Sequence, residues 1–171
     1  FNEAVTTVSV VDGAVPDLTR AEFNIAIHND YRALREAWPG LAQSDRFGAR
    51  WTGGLRISTP GIYTMELVSD DGSLLMLDGE VVIDNDGDHS MRTRTADIDL
   101  LDGDHTLEVK FFENGGIAGI VLKYTGPDTA WQDIIIPPSV LIPPDGVTPP
   151  TTTTTTPIPL SDMYGGLLAE Y

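Results

Sequence analysis

The sequence predicts an all-β protein, an antiparallel β-sandwich, and three observations predict it. From Ala49 to Ile136 apolar and polar residues mostly alternate at period two. Turn residues punctuate the same span at intervals of about eight to twelve positions, as in sandwiches and barrels. Two segments show the alternation most clearly. Tyr63, Met65 and Leu67 alternate with Thr64 and Glu66, and Leu107, Val109 and Phe111 alternate with Thr106, Glu108 and Lys110. Successive side chains of a strand point to opposite faces, so each segment buries one face.

The expected strands span residues 49–58, 61–69, 73–78, 80–83, 93–101, 105–113, 117–125 and 132–136. Turns are expected at Thr59-Pro60-Gly61, Asp78-Gly79, Asp102-Gly103-Asp104 and Asn114-Gly115-Gly116. The inward set is Tyr63, Met65, Leu67, Leu107, Val109, Phe111, Ile120 and Leu122. The first 48 residues are less regular. Tyr31, Leu34, Arg35 and Trp38 fall at helical spacing, with Asn29 or Asp30 to cap and Pro39 to stop, which predicts one short helix over 30–38.

Residues 1–141 are thus expected to form the sandwich. Residues 142–160 are expected to form an extended linker, because prolines fix φ and the branched threonines of Thr151–Thr156 disfavour helix. Fully extended, residues 141–164 would reach on the order of 70 Å. The remaining segment, 161–171, ends in Gly165-Gly166-Leu167-Leu168-Ala169-Glu170-Tyr171, which reads as a strand with no partner nearby in sequence.

Twenty-six acidic against ten basic residues give a formal charge of −16, which argues against nucleic acid and anionic membrane and favours cations. The absence of cysteine excludes disulfides, thiol catalysis and thiolate metal sites, but leaves calcium on oxygen ligands open. No apolar stretch is long enough to span a bilayer. The chain opens on Phe1 without a signal peptide, as expected of a processed mature chain, an excised fragment or one unit of a longer repeat, and its acidic surface leads us to expect an exported or cell-surface protein.

Candidate chemistry lies between residues 50 and 120: Arg50-Trp51-Thr52-Gly53, then Ser69-Asp70-Asp71-Gly72-Ser73, then Leu77-Asp78-Gly79 and Val82-Ile83-Asp84-Asn85-Asp86-Gly87. In this order the motifs resemble the PA14 family, found in bacterial toxins, fungal and bacterial adhesins and glycosidases. The resemblance covers about Phe1–Leu141 and is strongest over Trp51–Tyr124. It implies a β-sandwich and, as in the lectin-like members, a calcium ion beside a sugar site. Two aspartates joined by a cis peptide, matching Asp70 and Asp71, would grip the ion. The loop Glu113-Asn114-Gly115-Gly116-Ile117-Ala118 would add the Asn114 side chain and the carbonyls of Gly116 and Ala118.

Elementary chemistry points the same way, since two neighbouring carboxylates repel unless a cation relieves them. A hard divalent cation wants six to eight oxygens. As a polar turn, Asp-Asp-Gly-Ser has a plainer meaning. The run Asp84–His89 fails as a helix-loop-helix calcium loop, because its twelfth position is Thr95 and not glutamate. His28, His89 and His105 show no metal or triad spacing. No nucleophile elbow, phosphate loop or zinc signature is present, so the chain reads as non-enzymatic.

Two roles remain open: a building block of an extracellular fibre or tandem array, and a calcium-dependent carbohydrate-binding adhesin module contacting cell-surface glycans. In PA14 relatives a strand resembling Gly-Leu-Leu-Ala-Glu-Tyr-Phe opens the domain, whereas here Gly166, Leu167, Leu168, Ala169, Glu170 and Tyr171 close the chain and only Phe1 opens it. That order implies units joined head to tail, each strand completing the sheet of a neighbouring copy, whether donated without a covalent link or tandem in one array.

Overall fold

The computed structural model describes residues 6–28, 37–147 and 167–171. The expected helix over 30–38 falls mainly on 29–36, outside the described residues, as do Phe1, Gly166 and the threonine run of the linker. Twelve strands are described, β1 Thr19–Glu22, β2 Ala26–His28, β3 Phe47–Ile57, β4 Gly61–Asp70, β5 Ser73–Leu77, β6 Glu80–Asn85, β7 Arg92–Leu100, β8 Gly103–Glu113, β9 Gly119–Thr125, β10 Ile134–Ile135, β11 Leu141–Ile142 and β12 Leu167–Glu170. They pair antiparallel in two sheets, one ordered β1-β12-β3-β8-β5-β6 with β11 also on β3, the other β10-β9-β4-β7 with β2 also on β9.

Alternation selects the core as expected. Tyr63, Met65, Leu67, Leu107, Val109, Phe111, Ile120 and Leu122 are each at most 2% exposed, whereas Thr64, Glu66 and Glu108 are half-buried. Trp38 stacks on Phe111 at 4.9 Å and meets Phe47 edge-on at 4.9 Å, which closes one end of the core with aromatic contacts. The β5–β6 hairpin turns on Asp78 and Gly79 with φ of 51° and 82°, the double positive φ of a type I′ turn and the reason for Asp-Gly there.

Three corrections to the expected layout have physical causes. The irregular N-terminal region supplies two short strands, β1 and β2, too brief to show a period. The sandwich also extends past Leu141, because Ile142 pairs with Gly54 in β11. Most consequentially, the segment expected to complete a neighbour's sheet completes the sheet of its own chain: β12 lies between β1 and β3, with Ala169 opposite both Arg20 and Trp51. Leu167, Ala169 and Tyr171 are buried, and Tyr171 packs edge-on against Trp51 at 5.8 Å. The Tyr171 hydroxyl donates to Glu22 at 2.8 Å and accepts from Arg20 at 3.1 Å, while Arg50 donates to Glu170 at 2.9 Å. These contacts hold the strand in the sheet.

Candidate metal centre

Chain crossings between the sheets create the site. β4 passes to β5 through Asp71-Gly72, β6 passes to β7 through residues 86–91, and β8 passes to β9 through residues 114–118. All three crossings meet at one end of the sandwich. Gly72 is required there, since a Cβ would lie 2.3 Å from the Phe112 ring and 2.9 Å from the Gly87 backbone.

Asp70 ends β4, and its peptide bond to Asp71 is cis, as the family resemblance implies. Both carboxylates are held by backbone donors of the neighbouring crossings. Asp70 Oδ2 accepts from the Met91 N–H at 3.1 Å, and Asp71 accepts from the His89 N–H at 3.0 Å and the Asn114 N–H at 2.9 Å. The acidic run after β6 therefore drapes over the aspartate pair. It is fixed by Asn85, whose side chain donates to buried Ser69 at 2.9 Å and accepts from Arg92 at 2.7 Å.

Of the expected ligands, the structure thus brings Asp70, Asp71 and Asn114 together. The Asn114 side chain donates to Asp88 at 2.8 Å. Gly116 and Ala118 lie on the same crossing, where Gly116 N–H donates to Asp45 at 3.1 Å and Ala118 precedes the residue paired with Asp70.

Sequence reasoning missed Glu113. One carboxylate oxygen from each of Asp70, Asp71 and Glu113 lies within 4.8 Å of the other two. Glu113 is 0% exposed, and among the described residues neither of its carboxylate oxygens has a hydrogen-bond partner. The signal was present in the alternation of β8: inward Leu107, Val109 and Phe111 are followed two residues later by Glu113. An unpaired buried carboxylate is costly, which makes this position informative.

Electrostatics agree. Burial and then the Asp71 charge push the Asp70 carboxyl up to about 6, and burial also raises Asp71. Burial, followed by Asp71, Asp70 and Asp45, pushes Glu113 up to about 8. The Asp71 amide offsets part of that rise without reaching hydrogen-bond geometry. Two oxygens bound to one calcium at about 2.3–2.6 Å can stand at most about 5 Å apart, so this spacing suits one shared ion. An all-oxygen set of three carboxylates also fits a hard cation in chemistry.

The fold has known counterparts. The PA14 domain of the MpAFP antifreeze protein superposes with a TM-score of 0.64 at 17% identity, over 79% of this chain and 81% of that one. The PA14 sugar-binding domain from an RTX adhesin gives 0.63 at 18% identity, over 77% and 85%. An anti-sigma factor domain-containing protein gives 0.65 at 24% identity over 76% of this chain, which spans only 44% of that protein's length. No curated protein matches the sequence. The family model described as the PA14 domain matches residues 17–135, which takes in β1 through β10 and every carboxylate of the site. The chain belongs to the PA14 domain family.

Proposed function

We propose that the chain is a non-catalytic, calcium-stabilised adhesive module of an extracellular protein, with a carbohydrate-binding rim at the metal. The observation that carries this reading is the convergence of Asp70, Asp71 and buried, unpartnered Glu113 within reach of one ion. Asn114 and the carbonyls of Gly116 and Ala118 would supply further oxygens, and sugar hydroxyls could complete the six to eight that calcium takes. The names of two structural relatives, a sugar-binding domain from an adhesin and a domain of an antifreeze protein, support an exported binding role.

Beside Asn114 and Gly115 lies an open polar cleft that also carries Gln43, Ser44 and Arg46, side chains able to hydrogen-bond hydroxyls. Gly115 and Gly116 leave open space where a side chain would stand, so the rim is accessible. The placement favours binding over hydrolysis, because glycosidase carboxylates flank the scissile bond from opposite sides, whereas Asp70 and Asp71 are adjacent on the chain. Among the described residues no helix is long and apolar enough to cross a membrane.

On a glycan array, binding of a simple sugar should appear in millimolar calcium and vanish in EGTA or on D70N/D71N substitution. A blank array in calcium would remove the carbohydrate reading and leave a structural one.

A second reading, head-to-tail joining of copies, rests on β12 lying inside its sheet while following residues 148–166 in the chain. The same contacts would form if β12 of one copy entered another, the exchange that underlies domain swapping. Light scattering across a wide concentration range should then show oligomers, and a strict monomer at every concentration would exclude them.

A further inference from the structure

Resting on the calcium reading above, we infer that Glu113 is a direct ligand of the ion and that the ion, through Glu113 and Asp70, clamps the two sheets of the sandwich together. Glu113 ends β8 in the seven-stranded sheet, and Asp70 ends β4 in the five-stranded one. Their oxygens, with that of Asp71, lie within 4.8 Å. Glu113 is fully buried, and among the described residues neither of its oxygens has a hydrogen-bond partner.

Placement explains why a loop-only site is insufficient. Asp70 and Asp71 already accept backbone N–H groups, which fix their position without satisfying Glu113. Glu113 follows Phe111 on the inward face of β8, so its carboxylate reaches the site from the core side while the 114–118 crossing approaches from the rim. An ion seated among the three would be closed from beneath by Glu113. A third carboxylate adds charge, which tightens calcium sites.

The test compares the full chain with E113Q, E113D and D70N, each titrated with calcium and melted in calcium and in EGTA. E113Q should bind calcium at least about a hundredfold more weakly, the upper end of the loss seen when a mere outer-shell partner of a metal site is removed. In EGTA it should melt no lower than the parent, because the carboxylate it replaces has no partner to lose. E113D should fall between the two. Hydrogen exchange should slow on calcium addition in β4 and β8 of the parent, one strand from each sheet, but only in the crossings of E113Q.

Parental affinity in E113Q, or a lower melting temperature of E113Q in EGTA, would overturn the assignment. If D70N abolishes binding while E113Q does not, the calcium reading stands and the clamp falls. If the parent itself binds no calcium, both fall. Should E113Q fail to fold, E113D carries the test, and parental affinity there together with unchanged exchange in β4 and β8 would refute the clamp.

Discussion

Removing residues 167–171 is expected to destabilise the domain by on the order of 5 kcal/mol or more, a large part of the stability of an ordinary domain. Burying a large apolar side chain contributes about 1.5–3 kcal/mol, and the segment buries Leu167 and Tyr171 together with Ala169. The loss also spreads. Among the described residues β1 pairs only with β12, so truncation strips β1 of its partner and leaves β3 with an open edge. Arg20 and Glu22 lose the Tyr171 hydroxyl, and Arg20 loses the ring beneath its guanidinium at 4.7 Å. Urea denaturation should show a lower midpoint with aggregation near it, and a peptide of residues 165–171 should restore part of the loss. An unchanged midpoint would mean that β12 adds nothing to its own domain.

Calcium is expected to raise the melting temperature, and EGTA to lower it, by the second-largest margin. A ligand bound only by the folded state at a thousand times its Kd stabilises by about 4.1 kcal/mol. The effect should depend on pH with a definite sign. The folded-state values of Asp70, about 6, and Glu113, about 8, lie above their unfolded values, so the folded state holds protons that the unfolded state has released. Metal-free stability should therefore fall as pH rises from about 5 through 8. Calcium must displace those protons, so its affinity should rise over the same window by up to about tenfold per pH unit for each proton released. Thermal melts at pH 5.5, 7 and 8.5 with and without calcium check both trends. A calcium shift independent of pH would contradict protonated carboxyls in the metal-free site.

The central strands were legible because one physical rule decides them: a half-buried strand must alternate, and β4 alternates along its length while β8 alternates from Leu107 to Phe111. The adjacent charges of Asp70 and Asp71 hinted at a cation, but their grouping with Asn114 was legible only through family resemblance, since the contacts that gather them come from chain crossings, and Asp71 and Asn114 are 43 residues apart. Glu113 could have been found by extending the parity of β8 two residues beyond Phe111, but a charge at a strand end reads as solvated until the opposite sheet closes over it. The acidic run after β6 shows in the sequence only that it is not a helix-loop-helix calcium loop. Its role in donating the His89 and Met91 amides depends on β6 and β7 lying in different sheets, which no local pattern encodes. The β12 segment was recognisable as a strand by its residues, yet its sheet was not, because pairing across more than a hundred positions leaves no periodic trace.

Isothermal titration of calcium into the full chain at pH 8, beside the D70N/D71N variant, addresses the metal centre directly. One equivalent of calcium bound per chain, accompanied by proton release and lost in the variant, is the predicted result. Absence of binding by the parent, or equal binding by the variant, would contradict a calcium centre built on Asp70 and Asp71.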